Sequence, residues 1–329
     1  MTGEKLFGLT DGEYWSDPWK SLGKVAWSRI DDEVSALAID CPDRIAFQEQ
    51  SSFPLLALQT GPSKELHHPR FQDHAVVTAL GLDDDRLYAA RAFTDILPSD
   101  APEPSPGFAA AEFEVDLREA LSLPWRQGTY VVRTFLRDRV SNECVVTLGA
   151  AQSSYDDPEV RQFLEEARSR RPRRGVFPEH GDSVVDYTPR AGSPLPPDEV
   201  GLVMRADRVV VRGPGRRARV DVSFKLPVRP TDLAPPPPDA TRSESPLRAV
   251  AAISILVIGS DAPSQIPLSL LVPSYQVEGP PDAPVARGAF SVDLLAHPAV
   301  ASRCQTYFVF AFAGRRMAGP ALVAVVDEA

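Results

Sequence analysis

The sequence predicts an all-β protein of two tandem β-sandwich domains, related by an internal repeat and joined by a linker with one helix. The repeat is the main observation, since residues 113–117 read FEVDL and residues 290–294, at an offset of 177, read FSVDL. Without a gap, the same offset aligns six further identical pairs: Thr129 with Thr306, Tyr130 with Tyr307, Val132 with Val309, Phe135 with Phe312, Arg139 with Arg316, and Val146 with Val323. So many ungapped identities favour a tandem duplication of one domain.

Short apolar or alternating runs between Gly, Pro, Asp and Ser clusters predict about seven strands in each copy, as in a β-sandwich. The predicted strands lie at 25–30, 43–49, 74–82, 87–94, 111–116, 129–137 and 143–149 in the first copy, and at 202–212, 218–225, 250–258, 266–272, 288–293, 305–313 and 320–326 in the second. The same offset also places Phe47 over Phe224 and Val76 over Ile253.

We divide the chain into four parts on this basis. These are an aromatic N-terminal tail (1–20), a first sandwich (21–150), a helix with an Arg- and Pro-rich linker (151–197), and a second sandwich (198–329). The linker helix is predicted from Asp157 and Pro158, a capping residue and a first-turn proline, which precede apolar residues at helical spacing. Proline-rich stretches at 194–197 and 235–238 favour extended spacers.

A tyrosine opens the penultimate strand of each copy, at Tyr130 and Tyr307. A tyrosine at this place, after a long corner, resembles the tyrosine corner of immunoglobulin-like domains. The resemblance implies two immunoglobulin-like sandwiches in which each phenol anchors the preceding turn. It implies no activity, because this fold hosts many unrelated functions.

Two pairs of polar residues shared by the copies are expected to have structural roles. Asp116 and Asp293 each end a strand before a leucine-rich stretch, where a carboxylate accepts backbone N–H groups and caps a short helical turn. A catalytic carboxylate is the alternative for this pair. Arg139 and Arg316 are expected on the final hairpin, where a guanidinium can bind a carbonyl or a carboxylate.

The charge balance argues against nucleic acid or membranes as partners. With 45 acidic and 35 basic residues the net charge is −10, which disfavours binding to phosphate backbones and anionic lipids. No apolar run reaches the roughly 18 residues of a membrane span, and the N-terminus does not resemble a secretory signal. Three distant cysteines without a CxxC pair predict no disulfide framework, so we expect a reducing, cytoplasmic setting.

A histidine cluster is the strongest candidate for chemistry. His67, His68 and His74 lie close together in the sequence, and Asp73 is adjacent. Imidazole and carboxylate groups at the start of a strand can bind Zn²⁺ or Cu²⁺ if the chain folds back on itself. The spacing fits no established zinc motif, and the second copy has no histidine at the aligned positions. We therefore predict no cofactor, with a copper or zinc site as the alternative.

Two other motifs are weaker. Residues 213–218 spell GxGxxA, but the next residues alternate as a strand rather than a helix, which argues against a dinucleotide-binding fingerprint. A basic ridge of the arginines there and in the linker is the alternative, but the sequence lacks the interleaved aromatic residues typical of nucleic-acid surfaces. Three aspartates at 83–85 predict a solvated hairpin tip rather than a calcium loop.

One strand of the second copy predicts an interaction surface. Phe308, Phe310 and Phe312 make this strand apolar on both faces, whereas the first copy has Arg133 in place of Phe310. A sandwich strand needs only one apolar face, so the other face is expected to meet the linker helix, the other domain or another chain. On this hypothesis, Phe310→Arg leaves the fold intact and loosens that contact.

These observations predict a non-enzymatic binding or scaffold protein that acts through protein–protein or assembly contacts, with a partner protein or with further copies of itself. The residues shared by the copies are structural, and the sequence has no GxSxG, HExxH, Walker or CxxC motif. We therefore expect no catalytic residues. The alternative is a copper- or zinc-dependent enzyme, or a metal-handling protein, that uses the histidine cluster.

Overall fold

The computed structural model describes residues 35–41, 44–45, 53–66, 74–82, 86–92, 106–121, 123, 127–149, 185–186, 198–227, 248–249, 253–260, 268–272, 275–278 and 285–328. The chain divides into two compact units, and among these residues one unit holds those up to Gly149 and the other those from Val185 onward. Both units are mostly β-sheet, which confirms the all-β part of the prediction.

The first unit contains two sheets and two short helices. Its elements are β1 (Ala36–Asp40), β2 (Arg44–Ile45), β3 (Pro54–Pro62), α1 (Ser63–Leu66), β4 (Ala75–Gly81), β5 (Leu87–Arg91), β6 (Phe108–Asp116), α2 (Leu117–Leu121), β7 (Gly128–Leu136), β8 (Arg139–Val140) and β9 (Cys144–Leu148). One sheet has the order β1-β3-β6 and the other β2-β9-β7-β4-β5, with β8 paired to β7. Strands β2 and β9 run parallel, and the other pairs are antiparallel.

The second unit also contains two sheets. Its strands are β10 (Val185–Asp186), β11 (Gly201–Ala206), β12 (Val209–Val211), β13 (Arg219–Pro227), β14 (Arg248–Ala249), β15 (Ile253–Gly259), β16 (Leu268–Val272), β17 (Tyr275–Glu278), β18 (Val285–Asp293), β19 (Thr306–Ala313) and β20 (Arg316–Val326). A 3-10 turn (Leu294–Ala296) and α3 (Pro298–Ala301) follow β18. The sheet orders are β11-β13-β18-β17-β14, with β10 paired to β18, and β12-β20-β19-β15-β16. Here β12 and β20 are the parallel pair.

Each unit has one apolar core built from alternating strand positions. In the first unit Leu55 and Val132 belong to the buried cluster, and in the second unit Val222, Ile255 and Val309 do. Because successive side chains of a strand point to opposite faces, these residues lie on the inward face of their strands.

The ladders through the two tyrosines have the same register. Tyr130 pairs with Gly81 and Val146, and Tyr307 pairs with Gly259 and Val323. These pairs keep the predicted offset of 177 in the last strands, while the partner glycines lie 178 residues apart. The predicted match of Val76 with Ile253 is therefore wrong by one residue, since Val76 pairs with Phe135 and Ser254 pairs with the matching Phe312.

The spacing changes further in the first strands of each unit. Ala36 pairs with Thr60 in the first unit, and Gly201 pairs with Lys225 in the second, so these matching positions lie 165 residues apart. One ungapped offset cannot describe all strands, because connecting loops differ in length while strand pairing is kept. The other predicted match involves Phe47, which lies outside the described residues.

The sequence patterns missed or merged several strands. No strand is predicted at β1 or β3, and β3 begins and ends with proline, a residue that usually marks a boundary. Residues 202–212, predicted as one strand, form β11 and β12, which belong to different sheets. The predicted strand at 25–30, the linker helix and the aromatic tail lie outside the described residues.

Candidate interaction surface

The structure describes one of the predicted metal ligands. His67, His68 and Asp73 lie outside the described residues, whereas His74 is buried directly before β4 and its backbone carbonyl accepts a hydrogen bond from Arg91 at 3.1 Å. In the part of the chain that the structure describes, no three His, Cys, Asp or Glu side chains converge as metal ligands. The metal site stays a prediction.

The two strand-ending aspartates bind backbone in the same way. Oδ1 of Asp116 accepts the N–H groups of Phe53 and Arg118, each at 2.9 Å. Oδ1 of Asp293 also accepts two backbone N–H groups, at 3.0 and 3.1 Å. Each carboxylate thus joins the end of one strand to the residue before the neighbouring strand and to the following helical turn.

The remaining repeated residues also make local contacts. The phenol of Tyr307 is buried and donates to the carbonyl of Val300 at 3.3 Å, in the short helix that precedes its strand. Tyr130 is buried as well, with its ring edge-on to Tyr88 at 6.3 Å between centroids. Arg139 donates to Glu65 at 2.9 Å in a partly exposed ion pair. Arg316 is exposed at the start of β20.

The three phenylalanines predicted as an interaction surface are not open to solvent. The exposed fractions of Phe308, Phe310 and Phe312 are 9%, 0% and 1% in the single chain. These rings are therefore inaccessible to another molecule while the chain keeps this structure.

Three of the five exposed large apolar side chains in the described part of the second unit lie at one edge. Val209, Leu322 and Val326 are 66%, 48% and 37% exposed. We define the edge patch as five residues on one face of β12 and β20: Val209, Val211, Leu322, Ala324 and Val326. Their neighbours of opposite parity, Val210 among them, are buried in the core. Strand alternation therefore places the patch on the outward face.

Strand pairing makes the edge patch continuous. Val209 lies beside Ala324, and Val211 lies beside Val326, in the parallel pairing of β12 with β20. On the other side of β20, Leu322 lies beside the nearly buried Phe308. Leu322 and Ala324 lie two residues apart on the same face of β20, so a stepped apolar path connects Phe308 to Val209.

Charged residues surround the edge patch. Arg208 and Arg212 stand immediately before and after β12. Nε of Arg212 donates to Oδ1 of Asp327 at 2.9 Å, which ties the end of β12 to the segment after β20. The exposed Cys304 donates a hydrogen bond to the same carboxylate, and this bond and that from Arg212 hold the pKa of Asp327 below its usual value.

The sequence contains a signal for this edge that the strand prediction did not use. Residues 208–212 read RVVVR, three β-branched residues between two arginines. Charged residues that bracket a short strand are typical of sheet edges. Merging this segment into one long strand, 202–212, concealed the signal.

No protein-family model matches the chain, and its sequence matches no curated protein. Among the described residues, no helix has the length and apolar character needed to cross a bilayer.

Proposed function

We propose that the protein is a non-enzymatic binding or scaffold protein built from two immunoglobulin-like β-sandwiches related by an internal repeat. It acts through protein–protein or assembly contacts. The observation that carries the proposal is the edge patch, where exposed apolar side chains adjoin an unpaired strand edge in the described structure. Contiguous apolar surface of this kind is typical of sites that bind other proteins.

Strand order supports the immunoglobulin-like part of the proposal. Immunoglobulin sheets have the orders A-B-E-D and G-F-C, and variable-type domains add C′ beside C. In the second unit β11-β13-β18-β17 correspond to A-B-E-D, and β20-β19-β15-β16 correspond to G-F-C-C′. The first unit has A-B-E in β1-β3-β6 and G-F-C-C′ in β9-β7-β4-β5. Tyr130 and Tyr307 then open strand F, the place of the tyrosine corner.

The aspartate contacts support the internal repeat. Leu117 and Leu294, which follow the two aspartates, donate their N–H groups to the carbonyls of Phe53 and Ala218, each at 2.8 Å. Phe53 and Ala218 in turn donate their own N–H groups to the side chains of Asp116 and Asp293. Identical contacts at matching places are expected if one domain was duplicated.

The experiment compares two single substitutions at matching ladder positions. Leu322 lies beside Phe308 in the second unit, and Val145, 37% exposed, lies beside Val131 in the first. The full chain is tagged in its native cell, cross-linked and purified as wild type, Leu322→Asp and Val145→Asp. We expect a protein, or a further copy of the chain, at fixed stoichiometry with the wild type and Val145→Asp, and its loss with Leu322→Asp.

Two outcomes contradict the proposal. One is a wild-type chain that remains a lone monomer after cross-linking. The other is stoichiometric copper or zinc in untagged protein that is lost in His67→Ala and His74→Ala, which would favour the metal-dependent alternative.

A further inference from the structure

We propose that β12 accepts an additional β-strand from an acidic, extended segment of a partner protein. The inference rests on the proposed binding function and adds the chemistry of the partner. Strand addition to an open sheet edge uses main-chain hydrogen bonds for affinity and alternate side chains for specificity.

The backbone of β12 has a free side in the described structure. Arg208 accepts a hydrogen bond from Ala324 at 2.8 Å, and Arg212 donates one to Val326 at 2.7 Å, so both face β20. Because N–H and C=O groups alternate in direction along a strand, those of Val209 and Val211 point away from β20. Among the described residues β12 pairs with β20 alone. These groups can therefore pair with another strand.

The apolar side chains beside this edge suit an alternating partner strand. Val209, 66% exposed, points to the same outward face as Leu322, 48% exposed. An added strand would place every second side chain on this face, beside Val209 and Val211. Apolar residues at those positions would bury the exposed surface of Val209 and Val211, which adds to the affinity from the main-chain hydrogen bonds.

The charges around β12 indicate that the other side chains of the partner are acidic. The segment 205–217 contains five arginines and a single aspartate, in a chain whose net charge is −10. Arg208 and Arg216 are exposed, whereas Arg212 is paired with Asp327 and Nε of Arg217 lies 4.0 Å from Asp293. A local excess of positive charge favours an acidic segment and speeds its association.

The same charges disfavour edge-to-edge pairing of two copies. An antiparallel pair of β12 strands centred on Val210 would place Arg208 of one copy opposite Arg212 of the other. A parallel pair would place identical arginines side by side. Like charges directly opposite each other destabilise a sheet. A partner of opposite charge therefore fits this edge better than a second copy does.

The first unit provides an internal comparison. Its matching edge strand β2 has two residues, and Arg44 there lies beside Thr147 as Val209 lies beside Ala324. The shorter strand offers fewer backbone groups and fewer positions for side-chain contacts. We expect strand addition at β12 and not at β2.

Three synthetic peptides test the proposal on the full chain. The first alternates valine with aspartate or glutamate over seven residues. The second has lysine in place of each acidic residue, and the third is the acidic peptide with N-methylated valines, which cannot donate hydrogen bonds. We expect the acidic peptide to bind saturably, and each of the other two to bind at least about tenfold more weakly. Hydrogen exchange should show new protection at the amides of Val209 and Val211.

Matched substitutions locate the binding. Val209→Asp and Arg208→Glu should each weaken the acidic peptide at least about tenfold. Val145→Asp and Arg137→Glu make the same changes at exposed positions of the first unit and should leave binding unchanged. Circular dichroism of all four variants checks that each is folded.

Several results would overturn the inference. These are equal binding of acidic and basic peptides, protection elsewhere than β12, preference for a single-stranded oligonucleotide, or a dimer by sedimentation that Val209→Asp dissociates. A native partner that binds the chain but is indifferent to Val209→Asp would refute strand addition and leave the proposed binding function intact. A chain without any protein partner would refute both.

Discussion

The side-chain amide of Asn142 hydrogen-bonds both backbone groups of Ile39. Oδ1 accepts the N–H of Ile39 at 2.9 Å, and Nδ2 donates to its carbonyl at 3.0 Å. The contact joins β1 in one sheet to the residues before β9 in the other. At the matching place of the second unit, Gly319 has a φ of +121° and a Cβ there would lie 3.1 Å from Cε of Met204. The same Cβ would lie 2.7 Å from the carbonyl oxygen of Val309, so the amide bridge of one unit is replaced in the other by a close approach of backbone and Met204.

We predict that Asn142→Ala destabilises the first unit by about 2 kcal/mol, because two hydrogen bonds to a buried strand are lost. Asn142→Asp keeps the acceptor but loses the donor, and its carboxylate repels the carbonyl of Ile39. Its destabilisation should therefore lie between half that of Asn142→Ala and the full value. Hydrogen exchange of β1 amides measures the change unit by unit. Equal β1 exchange in the wild type and Asn142→Ala would refute the bridge.

Burial of Phe310 revises the expected effect of its replacement by arginine. Arg133 and Phe310 lie beside Thr78 and Leu256 at matching ladder positions. Arg133 is buried, but Nη2 binds Glu143 at 2.6 Å. The residue 177 positions after Glu143 is Pro320, which carries no charge.

We therefore predict that Phe310→Arg destabilises the second unit by about 3–5 kcal/mol, since it buries a charge without a partner. Phe310→Leu, the apolar control, should cost about 1–2 kcal/mol. Adding Pro320→Glu to Phe310→Arg should recover part of the loss, measured by thermal and urea unfolding. A fully stable Phe310→Arg variant would contradict this prediction.

The strand-ending aspartates give a third prediction. Asp116→Ala and Asp293→Ala should each lower the free energy of unfolding by about 1–3 kcal/mol, because two partly buried backbone N–H groups lose their acceptor. Asp116→Asn and Asp293→Asn keep Oδ1 and should retain most of the stability. If the asparagine variants were as unstable as the alanine variants, the negative charge rather than the acceptor would be the requirement.

Cys304 gives a pH-dependent prediction. Loss of hydration raises the pKa of its thiol, as do the hydrogen bond to Asp327 and the charge of that carboxylate, against the opposing charge of Arg212. Alkylation requires the thiolate, so the wild-type reaction should reach its half-maximal rate at a higher pH than a free thiol. Asp327→Ala should lower that pH, whereas Arg212→Gln should raise it further.

Mass spectrometry of the Cys304 peptide measures the alkylation rate at each pH. Cys144, which is half-buried in the first unit, provides an internal standard in the same digest. Shifts of the same sign in both variants would contradict the assigned interactions.

Local sequence features predicted much of the framework. The strands around Tyr130 and Tyr307 are recognisable because alternation and the bounding turn residues lie within a few positions of each other. The aspartate caps are recognisable for the same reason, since a carboxylate at the end of a strand has its N–H partners partly in the next two residues. The predicted metal site cannot be compared with the structure, because three of its four ligands lie outside the described residues.

The interaction surface was not predictable in the same way. The phenylalanines of β19 predicted a face covered by the linker helix, the other domain or another chain. They are buried in the single chain, while the exposed patch lies on β12 and β20. Alternation shows that a strand has two faces, but it does not show what covers either face. Whether a face is covered depends on residues far away in the sequence.

By itself, the sequence determined the β class, the matching positions of the tyrosines and aspartates, and the arginines that bracket Val209 to Val211. Only the tertiary structure decided that 202–212 divides between two sheets and that β12 lies at an edge. The physical reason is that strand propensity and caps are local properties, whereas sheet neighbours and burial arise from contacts between distant segments.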